Sequence, residues 1–229
     1  HPQWVELSSV GRSRRDRPLL MITIGDQAGA PGDRPAFWLD GGTHASEWTG
    51  VMATLYAVSH WVELLALGDE ETSRWFSAHT VFCLPCISPD GFQALHDGEP
   101  WLRSTLRPPA VGTVRSGLDP KDLSGDGKIR QMRWRHPAGP FACSEDDPAQ
   151  MRRRTLDDKP SDAWFLCTEG EMIAWNGVQW TRAPLKHGLD LNRNFPAAWR
   201  PFSMFGMDGG RYPISEPESR AVVDAFAAR

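Results

Sequence analysis

The chain has 229 residues, 40% apolar and 24% charged, the balance of a folded globular protein long enough to bury a core. Its net charge of −4 argues against nucleic acid or an anionic membrane as the main partner, because both reward a basic face, and no segment reads as the 18 or more apolar residues of a membrane span. Four cysteines are too few for a disulfide framework. The start, His1-Pro2-Gln3-Trp4, has no initiator Met, basic region or apolar signal stretch, so it is expected to be trimmed or processed and leaves the compartment open.

In chain order, Pro18 to Gly25 (PLLMITIG) predicts a buried strand, rich in branched apolar side chains. A turn through Gly32-Asp33 leads to a second strand, Ala36 to Leu39, broken by Asp40-Gly41-Gly42-Thr43. From Ser46 to Leu67, Val51, Leu55, Val58, Val62 and Leu65 recur at steps of three and four, predicting a helix with one buried stripe that Gly68 ends. A helical piece over Glu70 to Phe76 precedes a third strand, Thr80 to Ile87, closed by Ser88-Pro89-Asp90-Gly91. That strand contains Cys83 and Cys86, a C-x-x-C whose apolar setting favours two buried thiols over a redox or zinc motif.

From about Arg107 to Lys186 the sequence is rich in Pro, Gly, Asp and Arg. Trp134, Phe141, Trp164, Phe165, Trp175 and Trp180 give it something to bury, so it reads as an irregular inserted subdomain between residues 107 and 187 rather than a linker. Asp122-Leu123-Ser124-Gly125-Asp126-Gly127-Lys128-Ile129 copies the first eight positions of a helix–loop–helix calcium loop, with oxygen side chains at Asp122, Ser124 and Asp126 and the glycine at the sixth position. The twelfth position is Arg133 where an acid is needed, so Glu145, Asp146 or Asp147 would have to complete it; the alternative is a turn held by Asx hydrogen bonds. Glu216 to Arg229 predicts a final helix without a cap.

His44-Ala45-Ser46-Glu47 is the main chemical signal. An imidazole and a carboxylate three residues apart, at the end of a strand and the start of a helix, can face one point and bind zinc. The bland alternative is a loop His beside a Glu stabilised by the helix dipole. A second copy, His96-Asp97-Gly98-Glu99, sits in a polar loop and is the poorer candidate.

The surrounding sequence decides between these readings. Phe37 to Glu47 resembles the first zinc-ligand segment of the carboxypeptidase A-like zinc metallocarboxypeptidase family, a strand ending in Gly-x-His-x-x-Glu. Val10-Gly11-Arg12-Ser13 with Arg17-Pro18-Leu19, then LPCISPDGF (Leu84 to Phe92, with Ser88 where Asn is usual), then GLDLNRNF (Gly188 to Phe195), then Ser215-Glu216-Pro217-Glu218 are similar to further family blocks in the same order. The resemblance implies an α/β fold, with a mostly parallel mixed central sheet, flanking helices, and a site at the carboxyl ends of the strands. It implies that His44 and Glu47 ligate Zn2+, that Asp190 accepts a hydrogen bond from the far nitrogen of His44, and that Asn192 and Arg193 hold the carboxylate of a peptide or protein C-terminus. Arg103, twelve residues after Gly91, takes the place of the arginine that polarises the scissile carbonyl, with Arg133 the weaker candidate.

The family's third ligand, a His, and its general base, a Glu, follow the Ser-Glu-Pro-Glu helix, whereas no histidine here follows His187. The 229 residues are therefore expected to be a partial catalytic domain, with its C-terminal part missing, inactive alone. The rival readings are a zinc deacylase of the same fold acting on small N-acyl amino acids, and a peptide-binding module without catalysis.

Overall fold

A computed structural model describes residues 2–29, 34–99, 102–109, 111–175, 177, 181–204 and 206–229; the turn read at Gly32-Asp33, and Trp180, lie outside them. The chain divides into two compact units, His1–Gly112 with Leu185–Arg229, and Thr113–Pro184.

The first unit is built on a four-stranded sheet in the order β1-β2-β4-β3. Strands β1 (Val5–Arg12) and β2 (Pro18–Ile24) form an antiparallel hairpin, and β2 is antiparallel to β4 (Thr80–Leu84). The last pair, β3 (Ala36–Asp40) with β4, is parallel, and its crossover is made by helices α1 (Trp48–Leu67) and α2 (Glu70–Ala78), as a parallel pair requires. The α/β class and mixed sheet match the sequence reading. The parallel share is smaller than expected, since among the described residues this is the one parallel pairing within the sheet.

Burial explains the layering. Every residue of β4 is buried, as a strand covered on both faces must be. One face packs Leu19, Met21 and Leu84 with Leu189, Leu191 and Val222, the last on α4 (Pro217–Ala227). The other packs Ile24, Val81 and Cys83 with Val58, Leu65 and Phe76 of α1 and α2. Burial pushes the Cys83 and Cys86 thiols up to about 11, and neither is in a disulfide.

Helix α1 begins two residues later than its spacing suggests, with Glu47 as N-cap, and ends at left-handed Gly68 (φ 75°). Its buried stripe runs through Val51, Thr54, Val58 and Leu65, while Leu55 is 38% exposed. A threonine can replace Leu55 in the stripe because its hydroxyl donates to Gly50 O and Val51 O within the helix. By length and composition alone α1 could cross a membrane, which corrects the expectation that no segment approaches that size. Strand β4 stops at Leu84 rather than Ile87, where Pro85 has no N–H to donate. The segment read as a closing turn instead opens helix α3 (Pro89–His96), with Pro89 in its first turn.

The hairpin turn between β1 and β2 is clamped by three acids. Ser13 Oγ donates to Asp90 Oδ1 (2.8 Å) and the Arg15 amide to Asp90 Oδ2 (2.9 Å). The Arg14 amide donates to Glu218 Oε1 (3.0 Å), and the Arg14 guanidinium reaches Glu216 Oε2 at 2.6 Å. Glu218 is fully buried, and burial pushes its carboxyl above the usual range; the Arg14 amide opposes that, and the charges of Asp90 and Glu216 reinforce it.

The second unit has more order than an irregular insertion. A four-stranded sheet in the order β6-β9-β7-β8 joins β6 (Gln131–Arg135), β9 (Trp164–Thr168), β7 (Phe141–Cys143) and β8 (Met151–Arg153), all antiparallel. A two-stranded sheet pairs β5 (Gly117–Pro120) with β10 (Gly170–Ile173). Trp134 packs edge-on against Trp175 at 5.2 Å, so two of the tryptophans fill this unit as expected.

Asp122, Ser124 and Asp126 do meet in one turn. There Asp122 accepts from the amides of Gly125 and Gly127 at 2.7 and 2.8 Å, and Asp126 pairs with Arg130. The acid facing this turn is Glu169, not Glu145, Asp146 or Asp147: it is buried and accepts from the amides of Leu123, Ser124 and Arg130. The bonding is that of the Asx-held turn. Among the described residues no three His, Cys, Asp or Glu side chains are grouped to hold a metal, so the calcium reading has no geometric support.

Two outcomes follow from the first unit. A Cβ on Gly91 would lie 1.8 Å from Ser104 O and 2.7 Å from Ala45 Cβ. Gly91→Ala should therefore lower stability by about 2–4 kcal/mol, read as a fall in urea midpoint at unchanged slope; an unchanged midpoint would refute the close approach. The second concerns Glu218. A carboxyl with a raised folded pKa stabilises the fold while protonated, and that contribution is lost as pH climbs through the raised value. Glu218→Gln, neutral throughout, should gain Tm relative to the unmutated chain as pH rises above the ordinary carboxylate range, and should match it below that range. A pH-independent Tm difference would show that Glu218 does not titrate abnormally.

Candidate metal centre

His44 stands four residues past the end of β3, in a loop with little freedom. Gly42 has φ 64°, and a Cβ there would come within 2.8 Å of Val51 Cγ2. The amides of Ile87 and Ser88 donate to the carbonyls of Gly41 and Gly42 at 3.0 and 2.9 Å. Ser88, which takes the place of an expected Asn, is buried and donates its hydroxyl to Thr43 O at 2.8 Å. On the other side the Ala45 amide donates to Arg103 O at 2.7 Å.

The imidazole of His44 is buried, with a carboxylate beside each ring nitrogen. Nε2 lies 3.0 Å from Asp190 Oδ1, and Nδ1 lies 3.0 Å from Glu47 Oε1. Asp190 is itself held by its surroundings. Its amide donates to Asp208 O (2.9 Å), the next amide, Leu191, donates to Ser104 Oγ (3.2 Å), and the Asn192 amide donates back to Asp190 Oδ1 (3.1 Å). Burial disfavours the Asp190 anion, but the His44 hydrogen bond and the charges of His44, Arg103 and Arg193 outweigh it and hold the carboxyl below the usual range. Asp190 follows an isolated bridge between Leu189 and Asp208 rather than a strand, so only His44 follows a true strand end.

Arg103 reaches the same spot. Its Nη1 donates to Glu47 Oε1 at 3.0 Å, and its Nε is 3.7 Å from Asp190 Oδ2. Arg133 is in the second unit, where its guanidinium donates to Pro148 O at 2.6 Å. Asn192 and Arg193 are exposed; the Arg193 guanidinium lies 5.4 Å over the Phe202 ring and donates to Asn192 O, with no carboxylate in salt-bridge contact among the described residues. His44, Glu47, Arg103 and Asp190 are thus in contact, and Asn192 and Arg193 adjoin them in sequence.

The second H-x-x-E is not drawn into the site: exposed His96 faces Asp97. His187 also stays apart, its Nδ1 buried without a hydrogen-bond partner among the described residues, and burial lowers its pKa.

Sequence reasoning missed Asn194. Its side chain is fully buried, donates to Gly209 O, Tyr212 O and Ser215 Oγ, and accepts from the Glu216 amide and Ser219 Oγ. It therefore ties the segment carrying Asp190 to the start of α4. Arg107 was read only as the edge of the insertion, yet it donates to Gly188 O and pairs with Asp208. A polar residue buried in a polar run has no periodic signature; the one signal was membership of the GLDLNRNF block.

Two atoms of this site suit a zinc ion. In the tautomer whose Nε2–H donates to Asp190, the Nδ1 lone pair of the neutral His44 ring is on the side of the Glu47 carboxylate, where a cation would sit between them. Two ligands at ~2.0–2.1 Å from a tetrahedral zinc lie ~3.3 Å apart, close to the 3.0 Å between His44 Nδ1 and Glu47 Oε1.

Comparison with known proteins gives the family and the fold. A sequence model of the zinc carboxypeptidase family matches residues 1–125, which include His44, Glu47 and Arg103. Carboxypeptidase B of Astacus astacus is 30% identical over 120 residues, 52% of this chain and 37% of that protein. Carboxypeptidase A2 of Mus musculus is 29% identical over 120 residues, 52% of this chain and 27% of that one. The chain thus spans well under half the length of these relatives. In three dimensions, 99% of it superimposes on 38% of the carboxypeptidase A of Helicoverpa armigera, with a TM-score of 0.57 at 20% identity. It superimposes likewise on 39% of thrombin activatable fibrinolysis inhibitor, with a TM-score of 0.54 at 18% identity, so the likeness of fold extends past residue 125. The chain belongs to the zinc carboxypeptidase family.

Proposed function

We propose that these residues are part of a zinc-dependent metallocarboxypeptidase that hydrolyses C-terminal peptide bonds. One observation carries the reading: His44 is locked by Asp190 at Nε2 and turned by it to offer Nδ1 to the point that Glu47 also faces. His44 Nδ1 and Glu47 would hold the zinc, which when bound lowers the pKa of a coordinated water and polarises a carbonyl.

The remaining residues have distinct tasks. Asp190 fixes the tautomer and the ring plane of His44 and raises its basicity. Arg103, beside Glu47, would direct its guanidinium to the oxygen of the scissile carbonyl as charge develops there. Arg193, with no carboxylate partner among the described residues, and Asn192 would take the free C-terminal carboxylate in a fork-to-fork contact. A deacylase of small N-acyl amino acids would use the same pair, so a panel of peptides and acyl amino acids separates the two readings.

His44 and Glu47 supply two ligands; Asp190 is engaged at the far nitrogen of His44, and the described residues bring no further imidazole or carboxylate to the point that Nδ1 and Glu47 face. A catalytic zinc has three protein ligands and an open position, so the 229 residues alone should bind zinc weakly and show no peptidase activity. A third ligand and a general base from further polypeptide would complete the site.

The metal role is tested on the chain alone by competition with a chelating dye. Asp190→Asn should weaken zinc binding by about 10–100-fold, the usual effect of losing such an orienting carboxylate, and His44→Ala should abolish it. Zinc binding unaffected by both substitutions would place the metal elsewhere. The carboxylate role is tested in a catalytically complete protein. Arg193→Ala should weaken binding of a peptide with a free C-terminus by about 1.5–3 kcal/mol, while its amidated form loses much less. Equal losses for both peptides would remove Arg193 from carboxylate recognition.

A further inference from the structure

The loop between Asn194 and Gly209 is tied at its base and along one side. Asn194 Nδ2 and Trp199 Nε1 both donate to Gly209 O, at 2.7 and 3.3 Å. Within the loop, β11 (Ser203–Met204) and β12 (Met207–Asp208) form a short antiparallel hairpin. Its second strand lies against the segment that carries Asp190. Asp208 bridges to Leu189, its amide donates to Gly188 O, and its carbonyl accepts from the Asp190 amide, both at 2.9 Å. Gly209 follows, packed so closely on Arg193 that a Cβ there would come within 2.7 Å of Arg193 O and 2.9 Å of Arg193 Cβ. The loop and Arg193 thus share one backbone frame.

Phe202, the residue before β11, is placed by that frame. Its ring lies under the Arg193 guanidinium, with 5.4 Å from Cζ to the ring centroid. Phe202 is half-buried, whereas Arg193 is exposed, and Nη1 of Arg193 donates to Asn192 O. An exposed arginine ordinarily samples many rotamers, and an anion that binds it must first confine it, which weakens such a complex by about two- to ten-fold. A ring face under the guanidinium supplies that confinement before any ligand arrives and leaves N–H donors at the edge for an anion.

We propose that Phe202 is a positioning residue for carboxylate recognition, its ring holding the Arg193 guanidinium in place for the free carboxylate of the substrate. The inference rests on the role proposed above for Arg193 and adds a determinant that lies outside the Gly188–Phe195 block. A neutral amide gains little from an oriented cation, so the ring should widen the preference for a free acid rather than raise affinity for every ligand. If Phe202 acted only as bulk supporting the hairpin, its loss would also disturb Asp190, because β12 touches both Arg193's neighbour segment and Asp190 itself.

The test uses the 229-residue protein with N-acetylphenylalanine and its amide as probes, titrated by NMR. The acid should bind at least about five-fold more tightly than the amide, and Arg193→Ala should erase that preference. Phe202→Leu, apolar but without a ring face, should weaken the acid about three-fold and change the amide less than about 1.5-fold, while Phe202→Tyr should keep the unmutated affinity. Zinc affinity, read with a chelating dye, should be the same in Phe202→Leu as in the unmutated protein. The side-chain proton resonances of Arg193 should be shifted upfield by the ring, a readout that needs no variant. An acid preference that is absent, or that survives Arg193→Ala, removes the carboxylate role of Arg193 and this inference with it. With that role intact, the inference alone is overturned by any one of four results: no upfield shift, an unchanged acid-to-amide ratio in Phe202→Leu, a loss in Phe202→Tyr equal to that in Phe202→Leu, or a fall in zinc affinity in Phe202→Leu, which would mark the ring as support for the hairpin.

Discussion

The constraint on which the candidate site rests is the buried carboxylate of Asp190. One of its oxygens serves both His44 Nε2 and the Asn192 amide, and the other lies near Arg103. A buried carboxylate is tolerated only when its lone pairs are answered, and here each answer also sets the position of a neighbour. The imidazole is turned, the backbone bearing Asn192 and Arg193 is fixed, and Arg103 is drawn toward Glu47. Asp190 in turn depends on a polar scaffold of Ser104, Asp208, Arg107 and Asn194, whose hydrogen bonds reach from the loop after α3 to the start of α4.

Charge is handled differently at the clamp after β1. Asp90, Glu216 and Glu218 bring three carboxylates to one short segment, but Arg14, the Ser13 hydroxyl and two main-chain amides are set among them. Glu218 is the one whose burial is least compensated, with Oε2 left without a partner. The Asp122 to Arg130 turn of the second unit uses a related device, in which the buried Glu169 collects three amides that no regular ladder would satisfy.

Where hydrophobic period or local chemistry decides the outcome, the sequence was legible. The strands Pro18–Ile24 and Ala36–Asp40, the end of α1 at Gly68 and the pairing of His44 with Glu47 follow from apolar runs, a glycine and a three-residue step. The pairing of His44 with Asp190 needed the family blocks, since no local pattern links residues so far apart in the chain. What stayed hidden is where polar groups do structural work. Thr54 supplants Leu55 because its hydroxyl bonds within its own helix, and Asn194 looks like any polar loop residue until its five partners are known. In the second unit the strands have three to five residues with mixed polarity, below the length at which alternation can be told from chance.

The second unit also closes on itself. Leu118 bridges to Arg182, its amide and carbonyl exchange bonds with Thr181 and Ala183, and the Arg115 guanidinium donates to Pro184 O. Its entry and exit are thereby held side by side by its own hydrogen bonds. For a folding chain this alters the entropy of bringing His44 to Asp190, since a unit that has already formed counts as a short span rather than as all of Thr113–Pro184. The effective loop is roughly halved, which lowers the closure cost by about 0.6 kcal/mol and favours an order of events in which the second unit forms first. A long insertion between the two halves of the site is thus nearly silent kinetically, provided that it folds early.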